Sequence, residues 1–113
     1  MTDLSAATST SCFVEANGIK LHYVDYGTAG LPPMLCVHGG AAHAHWFDFV
    51  APGLTPDHHV FALDLRGHGD SARADPHTYS FESYAEDVNA FLEKLDLNDV
   101  VLIGHSMGGM VSL

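Results

Sequence analysis

The 113-residue sequence predicts an α/β fold built on a largely parallel sheet. Short, mostly apolar runs recur at residues 34–37, 59–63 and 99–103, the pattern of strands covered on both faces. Each run is followed by a turn rich in glycine and polar residues: Val37-His38-Gly39-Gly40, then Asp64-Leu65-Arg66-Gly67-His68-Gly69-Asp70-Ser71, then Gly104-His105-Ser106-Met107-Gly108. Between the second and third runs, apolar residues recur at helical spacing. Alternating strands and crossovers imply right-handed connections, with ligand-binding groups beyond the carboxyl ends of the strands.

The elements follow in order. Residues 1–11 are rich in Thr, Ser and Ala, with neither a basic flank nor an apolar core. They are expected to be a disordered terminus and not a signal peptide. Residues 12–113 are expected to form part of a single domain. Residues 12–16 and 19–26 alternate apolar and polar positions around Asn17-Gly18, the pair that favours the type I′ turn of a tight hairpin. Residues 27–33 form a Gly- and Pro-rich loop. A short helix is expected over residues 46–50, ended near Pro52. Residues 64–79 read as a long polar loop, in which Asp64, Arg66, His68 and Asp70, set among Gly67 and Gly69, are expected to form a polar turn whose salt links and hydrogen bonds fix the rim rather than a charge relay. Ser80 can then cap a helix whose apolar stripe is Phe81, Tyr84, Val88, Phe91, Leu92 and Leu95. Glu82, Glu86, Asp87, Glu93 and Lys94 fall outside that stripe. A further helix should open at Met107.

Composition narrows the function classes. Apolar residues make up 47% and charged residues 16%, as expected for a folded α/β domain and not for a disordered chain. Four basic residues against fourteen acidic ones leave a net charge of −10. That balance argues against nucleic acid, whose phosphates need cationic partners, and against anionic membrane surfaces. Cys12 and Cys36 are too few for a disulfide framework and read as reduced thiols. No apolar run approaches the length of a membrane span, so the expected compartment is cytoplasmic.

The third turn carries the chemistry. Gly104-x-Ser106-x-Gly108 after an apolar strand has the form of a nucleophile elbow, in which a strained turn lifts the serine hydroxyl above the end of the sheet. Taken with His38-Gly39 and Asp64-x-Arg66-Gly67-x-Gly69, it resembles the N-terminal part of an α/β-hydrolase fold serine hydrolase. The resemblance runs from Phe13 to Leu113. It implies an N-terminal hairpin plus parallel strands with crossover helices, in the order 1-2-4-3-5, cut after the nucleophile elbow. It implies Ser106 as nucleophile. Oxyanion donors would be the backbone N–H groups of Met107 and Gly40, with Ala41 the alternative to Gly40. His38, Gly39, Ala41 and His105 would form the rim.

His38 invites the role of base, but the resemblance makes it a hydrogen-bonding residue of the oxyanion turn. The acid and histidine of the triad follow the serine in this fold, and are therefore expected beyond residue 113. The chain alone is expected to be nearly inactive. No cofactor is implied. His43-x-His45 and His58-His59 do not offer the convergent ligands of a metal site. The function implied is hydrolysis of an ester-like acyl bond in a small molecule through an acyl-enzyme. Lactonases, C–C bond hydrolases and haloperoxidase-like perhydrolases are the other members of that class. Serine at the elbow separates the chain from haloalkane dehalogenases and epoxide hydrolases of this fold, which use Asp there. The alternative from another class is a non-catalytic truncated product or binding remnant. Left as a bare edge, the strand from Asp99 to Ile103 would also promote self-association.

Overall fold

The computed structural model describes residues 9–27, 30–39, 42–74 and 79–105. Its elements are β1 (Thr10–Ala16), β2 (Ile19–Asp25), β3 (Pro33–Val37), β4 (His59–Leu63), α1 (Phe81–Lys94) and β5 (Val101–Gly104). Two 3-10 turns, Ala44–Phe47 and Ala51–Gly53, lie between β3 and β4. β1 and β2 form an antiparallel hairpin, closed by Asn17 at φ 54° and Gly18 at φ 73°. Two consecutive residues at positive φ match the turn that Asn-Gly favours.

The five strands form one sheet in the order β1-β2-β4-β3-β5, the order the resemblance implies. β2 meets β4 antiparallel, whereas β4, β3 and β5 run parallel. Val37 pairs with both Leu63 and Gly104, so the three parallel strands end together. This common end brings the described residues that follow β3, β4 and β5 to one rim.

Alternation along each strand feeds two cores, because both faces of the sheet are covered. Leu35, Val37, Phe61 and Leu63 pack with Tyr84, Val88 and Phe91 of α1 on one face. Met34, Cys36, Val60 and Ala62 pack with Ala44, Phe47 and Ala51 on the other. The Cys36 thiol is pushed up to about 11 by burial, so it stays protonated and packs as a small apolar group. Both cysteines are free. No helix among the described residues is long and apolar enough to cross a membrane.

Several local expectations need correction. Thr10 and Ser11, assigned to a disordered terminus, belong to β1 and pair with Asp25 and Val24. Thr10 is β-branched and favours strand, and the cross-strand pairing carries Ser11 with it. The helix expected over residues 46–50 is replaced by the two 3-10 turns. His43 caps the first without a side-chain hydrogen bond, and Pro52, lacking an N–H, sits at the start of the second. The loop after β4 is polar as expected, and its Asp64, Leu65, Arg66 and Ser71 are buried. The strand expected from Asp99 to Ile103 runs instead from Val101 to Gly104, since Asp99 at φ 53° is not extended, and at the edge of the described sheet it leaves Val101 45% exposed.

Helix α1 begins as expected, with the Ser80 hydroxyl accepting the Ser83 N–H at 3.1 Å. Its two faces are less simply divided. Phe81, placed in the apolar stripe, is 49% exposed, whereas Asp87, placed outside it, is fully buried. Asp87 accepts from Arg66 Nε at 2.6 Å and Nη2 at 2.7 Å, and from Asn17 Nδ2 at 2.9 Å. A buried carboxylate needs such charged and hydrogen-bonding partners. This three-way contact joins the hairpin turn, the loop after β4 and α1.

Asp87→Ala should therefore destabilise the chain by about 3–5 kcal/mol, because it removes the buried carboxylate that pairs with Arg66 and Asn17. Replacing both partners at once, with Arg66→Met and Asp87→Leu, should recover most of that loss. Urea denaturation midpoints of the single and double variants measure the difference. Equal losses in the two would show that the ion pair is not what matters at this position.

Candidate active site at the carboxyl end of the parallel strands

The rim is organised by Asp64, the first residue after β4. Its Oδ1 accepts the Ala44 N–H at 2.6 Å. Its Oδ2 accepts His22 Nδ1–H at 2.6 Å and the Asp70 N–H at 3.0 Å. One carboxylate thus holds the segment after β3, its own loop and strand β2. Ser71 completes the ring: its hydroxyl donates to the Asp64 carbonyl at 2.6 Å and accepts the His22 N–H at 2.8 Å. The loop comes this close because residue 69 is glycine. A Cβ there would run into the Asp64 carboxylate, and φ is +50°.

His38 and Gly39 are buried at the end of β3. His38 Nδ1 donates to the Gly39 carbonyl at 2.6 Å, and Nε2 accepts the Leu65 N–H at 3.0 Å. The Gly39 carbonyl also accepts the Ala42 N–H at 3.2 Å. Both imidazole nitrogens are engaged, so the neutral Nδ1–H tautomer is fixed and His38 has no lone pair to offer a nucleophile. Its ring lies 4.9 Å from that of His68, whose Nδ1 donates to the Arg66 carbonyl at 2.9 Å.

His105, directly after β5, donates its N–H to the Val37 carbonyl at 3.0 Å. Its ring lies against Trp46 at a centroid distance of 4.4 Å, forming an exposed aromatic lip. The described rim residues His38, Gly39 and His105 thus gather at the ends of β3 and β5. Ser106, Met107, Gly40 and Ala41 lie outside the described residues.

Asp64 takes the rim-fixing role expected of the polar turn, whereas His22 was not singled out. The signal for His22 was present: strand alternation puts it on the face of Val24, opposite Leu21 and Tyr23, in a sheet buried on both sides. A histidine at such a position needs a polar partner. Among the described residues, His22, Asp64 and Asp70 also bring ligand atoms within 4.8 Å of one another. Their contacts are those of a hydrogen-bond network, since the proton of His22 Nδ1 lies between the ring and Asp64. A metal would have to displace that proton.

The family model for the alpha/beta hydrolase fold matches residues 32–113. The chain belongs to the α/β-hydrolase fold family. It is 36% identical over 97 residues to an uncharacterized hydrolase, YugF, of Bacillus subtilis, covering 86% of this chain and 36% of that protein. It is 35% identical over 106 residues to epoxide hydrolase 4 of Mus musculus, covering 91% of this chain and 30% of that one. Among solved structures, N-formylmaleamic acid deformylase from Pseudomonas putida S16 superposes with a TM-score of 0.82 at 31% identity, covering 91% of this chain and 39% of that one. The chain therefore spans about a third of the length of the curated relatives it matches.

Burial lowers the protonation of His38 from its ordinary value of 6.5, against the opposing effect of its hydrogen bond to Gly39. The unfolded chain takes up a proton there near that ordinary value, and the folded chain does so only at lower pH. Protons therefore favour unfolding, and stability falls as pH drops below 6.5, levelling off below the folded-state value. Relative to the wild type, His38→Gln should flatten the loss of stability between about pH 7 and 5, by at most about 1.4 kcal/mol per pH unit. Chemical denaturation at several pH values tests this. An unchanged slope would assign the pH dependence to other groups.

Proposed function

We propose that this chain carries the nucleophile half of a serine hydrolase acting on an ester-like acyl bond. Ser106 attacks the carbonyl carbon, and the backbone N–H groups of Gly40 and Met107 receive the oxyanion. The observation that carries this reading is the lateral tie between β3 and β5. Val37 pairs with Gly104, and the His105 N–H donates to the Val37 carbonyl at 3.0 Å. Gly39 and His105, which immediately precede Gly40 and Ser106 in the chain, are thus held at one sheet end. Acyl transfer needs nucleophile and oxyanion donors arranged around a single carbonyl.

Further support comes from the histidines. His38 spends both nitrogens on the turn and leaves the role of base elsewhere. By the fold's chain order, the acid and base come after the serine. Of the relatives, the deformylase name denotes cleavage of an N-formyl group, an acyl reaction of the kind a serine nucleophile performs. Epoxide hydrolase chemistry is disfavoured here because Ser106, not Asp, occupies the elbow. The Trp46–His105 lip fits a neutral, partly apolar acyl group better than an anionic one, given the net charge of −10.

Treating the intact protein with a fluorophosphonate and mapping the adduct by peptide mass spectrometry tests the assignment. Ser106 should be labelled, and Ser106→Ala should lose both the adduct and turnover of aryl esters while unfolding at nearly the same denaturant concentration. Turnover that survives Ser106→Ala would refute the nucleophile. Absence of any adduct on Ser106 would favour a non-catalytic binding remnant.

A further inference from the structure

A second serine, on β1 and not in the Gly104–Gly108 segment, stands in a hydrogen-bond chain of the kind that activates nucleophiles. Ser11 Oγ is 2.6 Å from His22 Nε2, and His22 Nδ1 is 2.6 Å from Asp64 Oδ2. Ser11 lies on β1, diagonally across from His22 on β2, since their pairing partners are Val24 and Phe13. Both side chains therefore stand on the same face of the sheet. Asp64 and His22 are buried, whereas Ser11 is exposed.

The carboxylate fixes the tautomer. With Nδ1–H given to Asp64, the Nε2 lone pair is left to accept the Ser11 proton. This is the division of labour in a Ser-His-Asp array, which is recognised by geometry and not by sequence order. Asp64 would also stabilise the imidazolium formed when that proton moves.

We propose that Ser11 is a nucleophile toward neutral activated acyl donors, accepting one acyl group per chain with His22 as base and Asp64 as its orienting partner. In the step, Ser11 Oγ bonds to the carbonyl carbon of an aryl ester as its proton passes to His22 Nε2. The bond from that carbon to the aryl oxygen then breaks. The phenol leaves with the proton returned from His22, so the products are O-acyl-Ser11 and one phenol. An aryl donor is favoured by Phe13, which is 50% exposed with its ring 5.0 Å from that of His22. Anionic acyl donors are disfavoured by the net charge of −10. Nothing in this step involves Ser106.

The test uses the 113-residue chain with 4-nitrophenyl acetate, followed by site-resolved mass spectrometry. Ser9 is exposed and only two residues away, so it serves as an internal reference. A positioned general base typically contributes about 100- to 10,000-fold. Ser11 should therefore acquire the acetyl group at least about 100-fold faster than Ser9 in the native chain. That preference should vanish in urea and in His22→Gln, and Ser11→Ala should remove the adduct while leaving any adduct on Ser106 unchanged. The native-versus-urea comparison needs no variant to fold. Equal rates at Ser11 and Ser9, acetylation confined to Cys12 or Lys20, or a Ser11 preference that persists in urea or in His22→Gln would overturn the proposal. Labelling of Ser106 is read on a separate peptide, so failure here leaves the elbow assignment intact.

Discussion

The carboxylate of Asp64 is the constraint on which the rim of this sheet depends. It is buried at the point where β4 ends, where an unpaired charge would be strongly unfavourable. Among the described residues it is satisfied by groups from three separate segments: the ring of His22 on β2, the N–H of Ala44 at the start of the first 3-10 turn, and the Asp70 N–H of its own loop. Because each partner is distant in sequence or held in a tight turn, meeting the needs of one side chain fixes the relative positions of all three. Gly69 is the steric counterpart of this arrangement, since any Cβ there would occupy the space of the carboxylate.

A second buried charge performs a similar service on the opposite face. Arg66 reaches from the same loop to Asp87 on α1, and Asn17 joins them from the hairpin turn. The loop after β4 is thus pinned to both faces of the sheet within three residues. His38 adds a third tie by accepting the Leu65 N–H. The turns after β3 and β4 therefore behave as one cross-braced unit, which suits a site that must hold backbone donors still while charge develops on a substrate.

This bracing also reaches Ser11 on β1. In the His22–Asp64 pair, Ser11 stands beyond the imidazole on one side and the Ala44 N–H meets the carboxylate on the other. The aromatic contact between Trp46 and His105 closes the rim over the end of β5. Positioning and reactivity draw on the same buried groups, since a histidine held by a carboxylate is both a rigid strut and an oriented base.

The sequence by itself determined the sheet and much of its order. Period-two alternation, wholly apolar short strands and the Asn17-Gly18 turn are local signals, and hydrophobic burial enforces them whatever lies elsewhere. Strand β4 and the Ser80 cap of α1 were legible to the residue for that reason. The gathering of Gly39 and His105 at one end also followed from three parallel strands that each terminate in a glycine-rich turn. Tertiary structure alone decided the fate of the charged and ambiguous residues. Asp87 reads as a solvent-facing helix residue until Arg66 and Asn17 arrive to pair with it, 21 and 70 positions away in the chain. His22 reads as an ordinary strand position until Asp64 and Ser11 bracket its ring. Residues 46–50 read as a short helix, but packing against the sheet and Pro52 shape the segment into 3-10 turns. Apolar patterning is a property of a segment, and sequence can report it. The partner of a buried polar group is a property of the assembled chain, so it exists only once the fold has brought distant residues within hydrogen-bonding reach.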